Sequence, residues 1–169
     1  MMDDTKKVLV SVVMGSDSDI TIMQEATNIL REFQVPCEFY LTSAHRAPER
    51  TTAFARNAAA RGVQVIIAGA GAAAHLAGVI ASQTTLPVIG VPIDATSLGG
   101  LDALLATVQM PGGIPVATMA IGKGGAKNAA LLAIRILALT NGDLQKRLDA
   151  YSVKMAQEVE KKQEKLDSL

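Results

Sequence analysis

Short β-branched runs alternate with longer stretches of helical periodicity along nearly the whole chain, and that alternation leaves few folds open. Residues 7–14 (KVLVSVVM) read as a first strand. Asp19 to Phe33 reads as a helix, with Ile22, Met23, Ala26, Ile29, Leu30 and Phe33 at helical spacing. Pro36–Leu41 is a second strand. Pro48–Arg61 is a helix with proline in its first turn and Gly62 after its end. Val63–Ala68 is a third strand, followed by a small-residue loop and short helix over Gly69–Ser82. Pro87–Val91, Leu101–Val108, Ile114–Ile121 and Ala126–Leu139 continue the pattern as strand, helix, strand, helix. Asn141-Gly142 ends that helix, and Asp143 opens a last charged one. Five strands separated by helices predict an α/β fold, a five-stranded parallel sheet covered on both faces, with an additional C-terminal helix. In such folds ligands bind beyond the carboxyl ends of the strands. The loops to read are therefore 15–19, 43–46, 69–75, 92–100 and 122–128.

Length and composition bound the rest. The chain has 169 residues, one domain's worth, and can bury roughly 70% of the surface its unfolded form exposes. The expected organisation is a single domain over 1–169: a flexible segment 1–6, an α/β core 7–140 and a helix 143–167. Sixteen basic residues balance sixteen acidic ones, which argues against a nucleic-acid partner held through phosphates. Aromatic residues are 3% with no Trp, too few for base-stacking platforms. One cysteine and two histidines, with no metal-ligand spacing, predict neither a disulfide framework nor a metal site. No basic n-region precedes a long apolar segment, and the apolar runs are strand-sized, so neither a signal peptide nor a membrane span is expected.

Charge is unevenly spread. Residues 143–169 hold 6 basic and 6 acidic residues, whereas only Asp94 and Asp102 are charged between Arg61 and Lys123. Central strands and a buried helix account for part of that. The remainder predicts surface that faces other copies of the chain in a homo-oligomer. The last helix carries Leu144, Leu148, Tyr151, Met155 and Val159 on one stripe and reads as a solvated helix with one packed face.

Three loops hold candidate chemistry. Gly15-Ser16-Asp17-Ser18-Asp19 follows a strand and opens a helix. Its Ser and Asp residues suit N-caps, and they also suit a phosphate beside free N–H groups, with Asp19 accepting from ribose hydroxyls. Ser43-Ala44-His45-Arg46 puts an imidazole, with an ordinary pKa of about 6.5, beside a guanidinium able to grip a phosphate or carboxylate. Gly69-Ala70-Gly71-Ala72-Ala73-Ala74-His75 fits a loose dinucleotide fingerprint, G-x-G-x-x-A, with Asp94 at the distance of a ribose-binding acid. The other reading of that loop is close backbone approach to a small flat ligand. Gly122-Lys123-Gly124-Gly125-Ala126-Lys127-Asn128 lacks the spacing of a nucleotide P-loop, and Cys37 reads as packing rather than nucleophile.

Taken in order, Met14-Gly15-Ser16-Asp17-Ser18-Asp19, Ser43-Ala44-His45-Arg46, Ile66–Gly71, Ala74-His75-Leu76 and Val108-Gln109-Met110-Pro111-Gly112-Gly113 resemble the N5-carboxyaminoimidazole ribonucleotide mutases of bacterial purine biosynthesis. The resemblance runs from about Val8 to Leu139. It departs where that family usually reads Gly-Gly-Ala-Ala-His-Leu-Pro-Gly, since this chain has Ala72 and Ala77. The resemblance implies a three-layer flavodoxin-like domain, a cytoplasmic homo-octamer, and conversion of a small-molecule ribonucleotide from its N5-carboxy to its 4-carboxy form without ATP, cofactor or metal. It implies His45 as general acid/base, with Ser16, Asp19 and Arg46 on the ribose phosphate. Ser43, the Gly69–Gly71 turn, His75 and Leu76 would shape the pocket around carboxylate and ring. Three other readings stand beside it: direct carboxylation of aminoimidazole ribonucleotide by CO2, an NAD-binding domain using Gly69, Gly71 and Asp94, and a non-catalytic mononucleotide-binding module.

Overall fold

The computed structural model describes residues 7–168; the segment 1–6, expected to be flexible, lies outside the described residues. The elements in chain order are β1 (Val10–Met14), α1 (Ile20–Glu32), β2 (Cys37–Leu41), α2 (Pro48–Asn57), β3 (Val65–Gly71), α3 (Leu76–Ala81), β4 (Val88–Ile93), α4 (Leu101–Val108), β5 (Ala117–Thr118), α5 (Lys123–Ala138) and α6 (Gly142–Asp167). A 3-10 turn at Asp17–Asp19 leads into α1. The chain divides into two compact units, one ending at Ala133 and one beginning at Ile134, with α5 crossing the boundary.

In the first unit the five strands pair in the order β2-β1-β3-β4-β5, all parallel. This is the α/β flavodoxin-like arrangement expected from the sequence. Its central strands are buried on both faces, which is why they read as continuous apolar runs. One face carries Val13, Ile66, Ala68 and Val88 against Phe54, Ala55 and Ala58 of the α2 region and Leu76, Ala77 and Ile80 of α3. On the other face Met23 of α1 lies directly over Gly69. A Cβ at Gly69 would sit 2.3 Å from the Met23 sulfur, so the β3 glycine is a packing requirement.

Strand five is shorter than its sequence suggests. Instead of Ile114–Ile121, only Ala117 and Thr118 join the ladder, opposite Ile89 and Gly90. Pro115 has no N–H to give, and Gly113 at φ +98 turns the chain just before it. Beyond Thr118 the contact with β4 continues singly, as Met119 N–H donates to Gly90 C=O and Gly122 N–H to Pro92 C=O. Two further boundaries move. The α2 helix stops at Asn57, and residues 58–62 close as turns on Gly62 at φ +97. The α5 helix starts at Lys123, three residues early, because Ala126 N–H already bonds Gly122 C=O.

In the second unit the Asn141 side chain caps α6, accepting from the N–H groups of Asp143 and Leu144. Leu144 and Leu148 are buried, and α6 is exposed from Ser152 onward.

The sheet edge is tied by one polar network. The Arg61 guanidinium grips Glu38 of β2 bidentately at 2.8 and 3.1 Å, and the buried Ser11 hydroxyl of β1 donates to the same carboxylate at 2.6 Å. Burial raises the Glu38 pKa, but the hydrogen bonds from Arg61 and Ser11 and the Arg61 charge together outweigh it. They hold the carboxyl below its ordinary 4.5. The folded form therefore favours the carboxylate. Its contribution is present above the unfolded value and disappears as pH falls through the lower folded one. Glu38→Gln is expected to lose about 1 kcal/mol at pH 7, and the difference is expected to shrink as pH falls below 4.5 and the carboxylate takes up its proton. Urea unfolding at pH 7 and below pH 4.5 measures it, and an equal loss at both would contradict this account.

Candidate active site

The strand order dictates where a crevice forms. The chain leaves β1 toward β2 on one side and returns to β3 on the other, so the loops after β1 and β3 diverge and leave space between them. A cavity of about 320 Å³ occupies that place. The loop after β1 contributes Gly15, Ser16, Ser18 and Asp19, and the loop after β2 contributes Ser43 to Arg46. The end of β3 and the loop beyond it contribute Ala70 to Ala73, α3 adds Leu76, and Ala95 comes from beyond β4.

The polar groups are held by contacts within their loops and between them. Ser16 caps the 3-10 turn, accepting from Ser18 N–H at 3.3 Å. Asp19 is only 6% exposed. Burial pushes its carboxyl up from the ordinary 3.8, while hydrogen bonds from Ser18 and the Ser16 backbone pull it down and the Asp17 charge adds to the rise. The second loop is braced from beneath, since Thr42 and Thr51 share a buried hydroxyl contact at 2.9 Å and Thr51 Oγ1 donates to Ala47 C=O. Within that loop, Arg46 N–H donates to Ser43 Oγ at 3.2 Å. The Arg46 guanidinium reaches across to Gly15 C=O at 3.1 Å, joining the first two loops.

His45 and His75 meet at 2.9 Å, Nε2 to Nδ1, with their rings nearly perpendicular at 85°. Only one of the two facing nitrogens carries the bridging hydrogen, so each imidazole sets the tautomer of the other. His75 does not line the cavity. It sits at the start of α3 and reaches the site through His45. All the sequence-selected residues thus come together: Ser16, Asp19, Ser43, His45, Arg46, Gly71 and Leu76 on the cavity wall, and His75 behind His45.

The third loop corrects the sequence reading in one respect. Gly69 and Gly71 do not form a turn; both lie in β3, Gly69 opposite Met14 and Val91, Gly71 opposite Ile93. A dinucleotide fingerprint needs its glycines in the turn between strand and helix, and the following helix here has six residues. The glycines answer to packing instead. A Cβ on Gly71 would lie 2.5 Å from Ala95 Cβ, so the closeness of β3 to the chain beyond β4 depends on its absence. The turn itself is made by Ala72, at φ +52. That left-handed backbone costs an alanine about 1 kcal/mol relative to glycine.

Sequence reasoning did not single out Ser18 or Ala95. Ser18 was visible as a polar residue within the first loop. Ala95 carried no signal beyond its place after strand four. Among the described residues no group of three or more His, Cys, Asp or Glu could hold a metal ion, and no helix is long and apolar enough to cross a membrane. Cys37, half-buried on β2, has its thiol pushed up by burial, which the nearby Arg31 partly offsets; that suits packing better than nucleophilic attack.

Comparison with known proteins bears on the same region. Residues 9–158 match the model of the family described as AIR carboxylase. The chain is 54% identical to the N5-carboxyaminoimidazole ribonucleotide mutase of Pyrococcus horikoshii, over 98% of this chain and 92% of that protein. It is 47% identical to the phosphoribosylaminoimidazole carboxylase of Candida glabrata, over 99% of this chain but 29% of that longer protein. The crystal structure of Treponema denticola PurE superposes with a TM-score of 0.82 at 28% identity, covering 90% of this chain and 94% of the other.

The raised Asp19 value carries a sign. The fold disfavours the carboxylate, so the cost is present above the folded pKa and fades as pH falls toward 3.8 and below. Asp19→Asn is expected to be more stable than the parent at pH 7, to unfold with it at pH 3, and to bind ligand more weakly. Thermal unfolding across pH measures this, and a loss of stability at pH 7 would contradict it.

Proposed function

This chain belongs to the AIR carboxylase family, and from that premise we propose that it is an N5-carboxyaminoimidazole ribonucleotide mutase. The product is the 4-carboxy isomer, formed in purine biosynthesis without ATP. The observation that carries the reading is the meeting of His45 with a wall of Gly and Ala inside a cavity that also holds Ser16, Asp19 and Arg46.

The residue types fit the roles. Arg46 and Ser16 suit the phosphate, one by charge and one by hydroxyl donation. Asp19 suits the ribose hydroxyls as an acceptor. Ser43, Gly71 and Leu76 suit the carboxylate and ring, and His75 fixes the His45 imidazole from behind. In the first step His45 gives its proton to the nitrogen that carries the carboxylate. The N–C bond breaks, the amine is left neutral and CO2 is released. CO2 is small and uncharged, so it is retained by exclusion of water rather than by charge. The apolar wall of Ala70, Gly71, Ala72, Ala73 and Ala95 supplies that surface. Carbon 4 of the imidazole then attacks CO2, and His45 takes the proton that this carbon loses. One group acts as acid and then base, a task suited to imidazole.

A direct carboxylase that joins aminoimidazole ribonucleotide and CO2 is the second reading, supported by the similarity to the Candida glabrata protein. The two are separated by adding freshly made N5-carboxyaminoimidazole ribonucleotide, without ATP, and following the ultraviolet absorbance of the 4-carboxy product. Formation above the uncatalysed rate is the expected result; activity only with aminoimidazole ribonucleotide and CO2 would move the chain to the carboxylase reading. His45→Asn is expected to bind ligand normally and lose at least 100-fold in turnover, as general acid/base catalysis supplies about 10²–10⁴-fold. Arg46→Ala is expected to raise Kd by tenfold or more, as hydrogen bonds between charged groups are worth about 1.5–3 kcal/mol.

The proposal includes a cytoplasmic homo-oligomer, an octamer by resemblance. Helix α4 supports it: Leu101, Leu105 and Val108 recur on one face and are 53%, 49% and 49% exposed, with Leu98 beside them at 63%. An apolar stripe of this kind on an enzyme surface is covered in the assembled protein. Sedimentation is expected to give a mass several times 17.6 kDa, and Leu105→Glu is expected to lower it; a parent that sediments as a monomer would remove this part of the proposal.

A further inference from the structure

The first loop holds more hydroxyl than a helix cap uses. Ser18 Oγ lies 2.9 Å from Ser16 Oγ and 3.2 Å from Asp19 Oδ1, while Ser16 Oγ lies 3.2 Å from Asp17 Oδ1. Ser18 has one hydroxyl hydrogen and two acceptors within reach, so it serves Asp19 or Ser16 but not both. When Ser16 gives its own hydrogen to Ser18, Ser18 gives its hydrogen to Asp19. When Ser16 gives its hydrogen outward, to Asp17 or an arriving anion, its lone pairs are open to Ser18, and Asp19 Oδ1 is released. Asp19 is nearly buried, so a released acceptor there has strong reason to find another donor.

We propose that Ser18 is a positioning residue that couples the two ends of the ligand, linking capture of an anionic oxygen at Ser16 to acceptance of a hydroxyl donor at Asp19. The inference rests on the ribonucleotide reading above and deepens it. Phosphate oxygens accept the Ser16 hydrogen, the Ser18 hydrogen turns toward Ser16, and the freed Asp19 oxygen takes a ribose hydroxyl. A ligand with both groups thus gains more than the sum of its parts, and one lacking either group finds the loop set against it. The coupling needs only two hydroxyl rotations on a loop that stays in place.

A binding cycle tests this. The Kd of 4-carboxyaminoimidazole ribonucleotide is measured by calorimetry, with steady-state kcat and KM, for the parent, Ser16→Ala, Asp19→Asn and the pair, each with Ser18 intact and with Ser18→Ala. For Ser18→Ala alone the expected effect falls on KM and Kd rather than on kcat. With Ser18 intact, the pair is expected to lose at least threefold less affinity than the product of the single losses. With Ser18→Ala, the losses are expected to multiply within twofold. Ser18→Thr, which keeps the hydroxyl, is expected to restore the coupling. Coupling that survives Ser18→Ala would overturn the proposal while leaving the ribonucleotide reading in place. A parent that neither binds nor interconverts the ribonucleotide would overturn that reading, and the role of Ser18 with it.

Discussion

The site depends on how closely β3 is approached on the one face of the sheet that Gly69 and Gly71 share. Met23 of α1 rests where a Cβ of Gly69 would be, and Ala95 rests where a Cβ of Gly71 would be. These two contacts bring the carboxyl ends of β1, β3 and β4 near enough for their loops to share one cavity. Any side chain at either position would push apart the elements that carry Ser16, Asp19 and the alanine wall. A parallel sheet buried on both faces offers no solvent side onto which the strain could be relieved.

Around that packing, the polar groups are arranged in pairs spanning loops. Arg46 ties the second loop to the first through Gly15, and His45 ties the second to the third through His75. The two cross-loop contacts make the cavity a property of the assembled sheet rather than of any one segment. They also divide the chemistry in space. Charge and hydroxyls gather at the β1 side. Small apolar residues line the β3 and β4 side. An alanine in left-handed backbone at Ala72 shows that this wall has been kept at some conformational cost.

Much of this was legible in the chain. Alternating strand and helix patterns foretold the parallel sheet, and the rule that ligands sit beyond strand ends picked out the loops that line the cavity, together with 122–128, which does not line it. Strand five was overread because its apolar run continues past the two residues that pair; Pro115 and Gly113 limit the ladder, and hydropathy does not register a missing N–H. Gly69 and Gly71 were taken for a turn because glycine signals both backbone freedom and close approach. Which applies depends on what stands opposite, and Met23 and Ala95 are 46 and 24 residues away in sequence.

The sequence by itself determined the element order, the parallel sheet and the set of polar residues at the strand ends, because hydrophobic period and residue chemistry are local properties. Tertiary structure alone decided that His45 faces His75 at 2.9 Å, that Arg46 reaches Gly15, and that Ala95 closes the wall. Those relations depend on strand order, register and side-chain rotation, which arise only when distant segments pack to fixed distances.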